Sequence, residues 1–194
     1  MVEKYILGVA HNEGQEVNAL DILKKYSRPG DLVAIETEYM TAKVVINTID
    51  ITRDSPEKLK EILHNCNVPF SFYWGNLIRL SYINNLGLKF LALENRKVLE
   101  NALPLLEHYE RRKGNMGKKK LDEFIVRYIF DRESSFDRAV KIHNPHGIIV
   151  GAEHLDFFSN KFPEYRKVYE YKGELSIDDF LSNRINVLRK RNSS

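Results

Sequence analysis

A disulfide framework is excluded at the outset, because the sequence has one cysteine, Cys66. A lone thiol closes no internal bridge, and such usage fits a reducing compartment. Cys66 stands between Asn65 and Asn67 with no cation beside it in sequence, so a buried, unreactive thiol is expected. No run approaches the roughly 20 apolar residues of a transmembrane helix. Met1-Val2-Glu3-Lys4 lacks the basic start of a secretory leader. The expectation is a cytoplasmic protein with no membrane partner. Charge of one sign is also scarce in excess: 30 Lys and Arg against 27 Asp and Glu leave +3, too little to argue for a nucleic-acid or membrane partner. A chain of 194 residues, 43% hydrophobic, is enough for one full core. No compositional break divides it, so residues 1–194 are read as a single α/β domain.

What is present is a series of short apolar runs separated by amphipathic segments. Residues 4–10, 32–35, 88–93 and 147–150 are dense in Ile, Leu and Val and read as buried strands. Residues 165–171 read as a last strand, and 68–73 are a further candidate. From Gly14 a helix is predicted on the face of Val17, Leu20, Ile22, Leu23 and Tyr26, stopped by Ser27-Arg28-Pro29-Gly30-Asp31. Ser55-Pro56-Glu57 has the form of a helix start, with Ser as N-cap and Pro at the first helical position. Further helices are predicted over 76–85, 96–111 (bent at Pro104), 121–143, 153–160 and 176–190. Residues 37–54 stay open between strand and helix. Strands alternating with helices indicate an α/β fold with a mostly parallel or mixed central sheet flanked by helices.

The chemistry gathers at the ends of the apolar runs. Gly8-Val9-Ala10-His11 and Gly151-Ala152-Glu153-His154 repeat one figure: a buried strand, a glycine expected to let the backbone turn, and a histidine three residues on. Glu36 and Glu94 each close another apolar run. Ligands of open parallel sheets bind beyond the carboxyl ends of the strands, so His11, Glu36, Glu94 and His154 are expected to share one edge. Arg132 fills the i, i+4 position between Tyr128 and Phe136 on the apolar stripe of the long helix. An inward arginine needs an anionic partner, because an unpaired buried charge is costly; the sheet-edge carboxylates or an anionic substrate group would supply one.

Two histidines with one or two carboxylates are a reasonable set for Mn²⁺, Co²⁺ or Zn²⁺, with His11, His154, Glu36 and Glu94 as ligands. Such an ion would activate water and polarise a carbonyl. Without an ion, a histidine paired with a carboxylate is itself a general base. Both mechanisms stay open. Taken singly, each feature has a plainer reading: a turn before an ordinary histidine, a solvated glutamate, or a structural ion pair. It is their shared placement that favours a site. Glu38, close to Glu36, is a substitute or second ligand if strand alternation points both the same way.

The remaining features are assigned to structure. His64 and His108 lie on polar helical faces, and His143 and His146 bracket Asn144-Pro145 at a helix end, so all four are expected to be exposed. Arg111, Arg112, Lys113, Lys118, Lys119 and Lys120 read as a solvated loop in preference to an RNA or phosphate site. Arg189-Lys190-Arg191 reads as a frayed helix end. Phe70-Ser71-Phe72-Tyr73-Trp74 is assigned to the core in preference to a pocket or the interface of a homo-oligomer.

In order and spacing, about residues 4 to 160 resemble the TraB/PrgY/Tiki superfamily, which is similar in fold to the ChaN and erythromycin-esterase proteins. The resemblance rests on the two Gly-x-x-His motifs, on Glu36 ending Val33-Ala34-Ile35, and on Arg132 in Asp131-Arg132-Glu133-Ser134-Ser135-Phe136-Asp137-Arg138-Ala139, which resembles the family's "RD…MA" helix. Glu94 resembles a second acidic strand end. Glu153 occupies a motif position often held by a small residue. The resemblance implies a hydrolase of peptidase or esterase type, possible metal dependence included, acting on a peptide or small-molecule ester. Its catalytic residues would be His11, Glu36, Arg132 and His154. The rival expectation is a non-catalytic protein on the same scaffold that binds a ligand, haem or a metal for regulation.

Overall fold

A computed structural model describes residues 3–9, 14, 16–66, 72–98 and 118–169, with the backbone alone at 118–130, 153 and 169. Five strands form one all-parallel sheet: β1 (Tyr5–Val9), β2 (Leu32–Glu38), β3 (Lys89–Glu94), β4 (Gly147–Gly151) and β5 (Arg166–Tyr169). Their spatial order is β3-β2-β4-β1-β5. Between them run α1 (Glu16–Tyr26), α2 (Tyr39–Asn47), α3 (Ile49–Thr52), α4 (Pro56–Asn65), α5 (Phe72–Ile83), α6 (Lys118–His143), and α7 (Leu155–Lys161) after a 3₁₀ turn, Ala152–His154. The α/β expectation holds, and among the described residues the sheet is parallel throughout. Parallel sheets need both faces covered, which is why β1 and β4 are apolar and buried along their whole length.

Strand alternation divides the core in two. Tyr5, Leu7, Val9, Val33, Ile35 and Ile149 face α1, α2, α4 and α5. Ile6, Ala34, Ile148 and Val150 face the other way, onto Phe136 and Val140 of α6 and Leu155 and Phe158 of α7. Glu36, two residues after Ala34, points to this second side and meets α6 there.

Several expectations are corrected. β2 runs on to Glu38, so Glu36 lies inside the strand. Residues 39–47 and 49–52 are helical despite their β-branched residues, because Ala42 and Val45 pack into the core beside Trp74, Leu77 and Ile78 of α5; tertiary burial overrides propensity. Phe72 and Tyr73 open helix α5 rather than end a strand, while residues 68–71 lie outside the described residues. Lys118, Lys119 and Lys120 form the first turn of α6 rather than a loop. Of the face expected on α1, Leu20 and Leu23 are buried and Ile22 and Tyr26 pack on the core, but Val17 is 51% exposed and Glu16 and Ala19 are buried in addition. Cys66 is exposed, not buried. His146 is half-buried, its Nε2 3.0 Å from the carbonyl oxygen of Tyr26. His64 and His143 are exposed, as expected. Ser55 caps α4, its hydroxyl accepting from the Lys58 N–H at 3.3 Å. The helices expected beyond residue 98 and over 176–190, the bend at Pro104, His108, Arg111–Lys113, residues 170–171 and the tail Arg189–Arg191 lie outside the described residues.

The glycines of the two motifs act differently from the expected turns. Gly8 is within β1, paired in register with Val150. A Cβ there would come 3.0 Å from Leu155 Cδ2, so the first residue of α7 rests directly on β1. Gly151 has φ −55°, accessible to any residue; its part in the site is its N–H.

Candidate functional site at the carboxyl edge of the sheet

Arg132, Phe136 and Val140 recur every fourth residue on α6, and that spacing turns all three onto the sheet. Arg132 is fully buried. One of its nitrogens, Nη2, donates to Oε1 of both Glu36 and Glu94. The other oxygen of Glu36, Oε2, accepts the Gly151 N–H at 2.6 Å. Residues from β2, β3, β4 and α6 are thus tied at one point. A buried charge survives only when paired and hydrogen-bonded, and this lattice satisfies that demand for Glu36 at both oxygens.

A β-bulge shapes the same point. Ile35 pairs with Ala92, but Glu38 pairs with Glu94, so β2 has one more residue than β3 across Glu36 and Thr37. Bulges bend a strand and re-aim its side chains. Here the bulge lets Glu94, at the end of β3, reach the guanidinium that Glu36 holds.

His154 follows Gly151 by one 3₁₀ turn and is fully buried. Its Nδ1 lies 3.0 Å from Oε1 of Glu133, and its Nε2 lies 3.9 Å from Oε1 of Glu36. The ring of Phe136 meets the imidazole edge-on at 5.4 Å and carries the Arg132 guanidinium over its face, also at 5.4 Å. Phe136 thereby fixes the spacing of the two polar groups.

Of the residues expected from sequence, Glu36, Glu94, Arg132 and His154 come together. His11 lies outside the described residues; Val9, two residues before it, pairs with Gly151 at this same edge. Glu133 and Phe136 were not singled out. Phe136 was visible only as a member of the apolar stripe. Glu133 carried one signal, its place beside an inward arginine on the same helical turn.

The metal expectation can be weighed on the donors present. Among the described residues no group of three or more His, Cys, Asp or Glu side chains is arranged to hold an ion. The Arg132 guanidinium already stands between Glu36 and Glu94, the place a divalent ion would need. These residues alone do not fit one, so a metal site would require His11 as well. Among the described residues no helix is long and apolar enough to cross a membrane. No family model, no curated protein and no solved structure matches this chain.

Proposed function

We propose that the chain is a hydrolase of peptide or ester bonds, with His154 and Glu36 activating water and Arg132 stabilising negative charge. The observation that carries this reading is the 3.9 Å between His154 Nε2 and Glu36 Oε1, beside the Arg132 guanidinium. A water reaching both atoms at ordinary hydrogen-bond length would place its two hydrogens on two acceptors, which is the geometry of general-base activation. Arg132, bonded to Glu36 and Glu94 beside this point, would donate to a tetrahedral oxyanion by exchanging Glu94 for that oxygen. The resemblance to the TraB/PrgY/Tiki superfamily supports the same class of reaction, and there His11 would be the second histidine of the site. A divalent ion would enter this reading only through His11.

The full burial of His154 and Arg132 favours one rival: a binding protein in which these ion pairs serve the scaffold, holding a peptide, haem or a metal without turnover. Both readings meet in one experiment. Purified protein is assayed on nitrophenyl esters and a fluorogenic peptide library, with and without Mn²⁺, Co²⁺ or Zn²⁺, beside His154→Ala and Glu36→Gln. Turnover reduced at least about 10²-fold in both variants, with native circular dichroism, is the expected result. No turnover by the parent protein, or full activity in His154→Ala, overturns the hydrolase reading. Calorimetric titration of the metal-stripped protein with the same ions, and a haem Soret shift lost in His154→Ala, would then identify the binding protein.

A further inference from the structure

The hydrolase reading assigns no part to Glu133, which is one residue past Arg132, on the same turn of α6. Its Oε1 lies 3.0 Å from His154 Nδ1, and its side chain is 12% exposed. An ionised carboxylate only accepts hydrogen bonds. The nitrogen facing it must therefore carry the proton. In the neutral imidazole this leaves the lone pair on Nε2, the atom directed at Glu36. A histidine free to choose would divide its proton between the two nitrogens, and only one of the two forms presents a base to the site.

We propose that Glu133 is a positioning residue that sets the tautomer and ring orientation of His154, so that Nε2 is the basic atom. Glu133 holds Nδ1 by hydrogen bond, Phe136 packs against the ring edge-on, and the backbone of the 3₁₀ turn fixes where the side chain begins. Of these, only the Glu133 contact distinguishes one ring nitrogen from the other. The arrangement couples the halves of the site mechanically, since Arg132 and Glu133 share one rigid helical turn. That turn places the guanidinium against Glu36 and the carboxylate against Nδ1 at once.

The catalytic part of this inference rests on the reading of His154 as the base, but the tautomer does not, and it can be measured without substrate. Nitrogen-15 spectra of labelled histidine in the full chain, at a pH where the ring is neutral, report which nitrogen is protonated. Among the six histidines, the His154 resonances, assigned by their loss in His154→Ala, are expected to show Nδ1–H alone in the parent protein. Glu133→Leu removes the acceptor and should bring a substantial Nε2–H fraction. Glu133→Ala also removes the acceptor and serves if the leucine variant does not fold, whereas Glu133→Gln, nearly the same shape and retaining an acceptor oxygen, is expected to keep Nδ1–H. Parent-like His154 spectra in the leucine or alanine variant, or Nε2–H at His154 in the parent, overturn the proposal. If the protein hydrolyses any probe, Glu133→Leu should lower kcat about 10²-fold with KM within about threefold, and Glu133→Gln should recover activity wherever Nδ1–H is kept. A purely structural glutamate would move stability and leave the tautomer unchanged. Absence of turnover in the parent defeats the hydrolase reading while the spectra still decide the role of Glu133.

Discussion

Arg132 and Glu36 form a fully buried ion pair across 96 residues of sequence, and the second oxygen of Glu36 holds the backbone of β4 through Gly151. The pair therefore joins α6 to two strands, and its removal has a structural penalty whatever the chemistry of the site. Arg132→Met should destabilise the protein by about 3–5 kcal/mol, because two buried carboxylates lose their cation. Arg132→Lys should recover little of this, since one ammonium lacks the guanidinium's planar array of donors. Arg132→Met combined with Glu36→Gln should be milder than the sum of the two changes. Urea midpoints measure all three, and strict additivity would show that the two residues are not coupled.

The sheet and the convergence of Glu36, Glu94, Arg132 and His154 were legible because the signals are local and strong. Apolar runs of strand length mark where strands end, and in a parallel sheet those ends share an edge. Arg132 stood out through the four-residue spacing it shares with Phe136. What stayed hidden depends on contacts between distant segments. The bulge in β2 is defined only against β3. The helical state of 39–52 follows from packing on α5, against the β-branched composition of that stretch. The reason for a glycine at position 8 is the side chain of Leu155, and that of Glu133 is a nitrogen of His154. Neither partner can be read from the residue itself.

A second buried polar cluster lies on the opposite side of the sheet. Asn76 Nδ2 donates to Glu16 Oε1 at 2.5 Å, and Arg79 Nη1 donates to Asn76 Oδ1 at 2.6 Å. Arg79 also donates to the carbonyls of Thr52 and Arg53, and Glu16 accepts the Gly14 N–H at 2.8 Å. Burial pushes the Arg79 guanidinium below its ordinary pKa, opposed by Glu57 and Asp54. Asn76 bridges a carboxylate and a guanidinium, so Asn76→Leu strands both. It should destabilise the fold by roughly 2–4 kcal/mol, more than a cavity-neutral swap at an apolar position would. Asn76→Asp should be milder than Asn76→Leu on the Arg79 side and harsher toward Glu16. Chemical denaturation of Asn76→Leu within about 0.5 kcal/mol of the parent would show the cluster to be energetically idle.

Alkaline pH should unfold the protein through two tyrosines. Burial raises the Tyr5 hydroxyl well above its usual value of 10.0, with Asp31 adding to the rise and the bond to Ser27 opposing it. Tyr165 is raised by burial and by Glu164, and its hydroxyl donates to the Pro145 carbonyl at 2.5 Å. A phenol whose folded pKa is raised keeps its proton in the folded state while the unfolded chain loses its own. Stability is therefore fully present below about pH 10 and falls as pH climbs above it, by up to about 1.4 kcal/mol per pH unit for each group. Tyr165→Phe should lose some stability at neutral pH yet show a shallower decline between about pH 10 and 11.5. An unchanged slope in that variant would mean that Tyr165 is not held protonated by the fold.

The amino ends of β1 and β4 make the sharpest steric prediction. Gly147 pairs with Tyr5 in register, and a Cβ at 147 would overlap Cζ and the hydroxyl oxygen of Tyr5 and come 2.7 Å from its Cε1. Tyr5 has nowhere to go: it is fully buried, bonded to Ser27 at 2.7 Å, and packed against Tyr26 and His146 at 5.9 and 5.8 Å between ring centroids. The glycine is required for space rather than for backbone freedom, since its place is an ordinary extended strand. Gly147→Ala should therefore destabilise by at least about 1–3 kcal/mol, the range for overpacking a filled core. Alanine also has the lower unfolded-state entropy, which works the other way and makes the steric share larger than the measured loss. Tyr5→Leu alone should also destabilise, by removing buried area and the Ser27 bond. Yet Gly147→Ala on that background should be nearly neutral or stabilising, because the ring that blocks the methyl is gone. Thermal or urea unfolding of the four proteins closes the cycle. A penalty for Gly147→Ala that persists unchanged in the Tyr5→Leu background would place its cause in the strand backbone and not in the tyrosine ring.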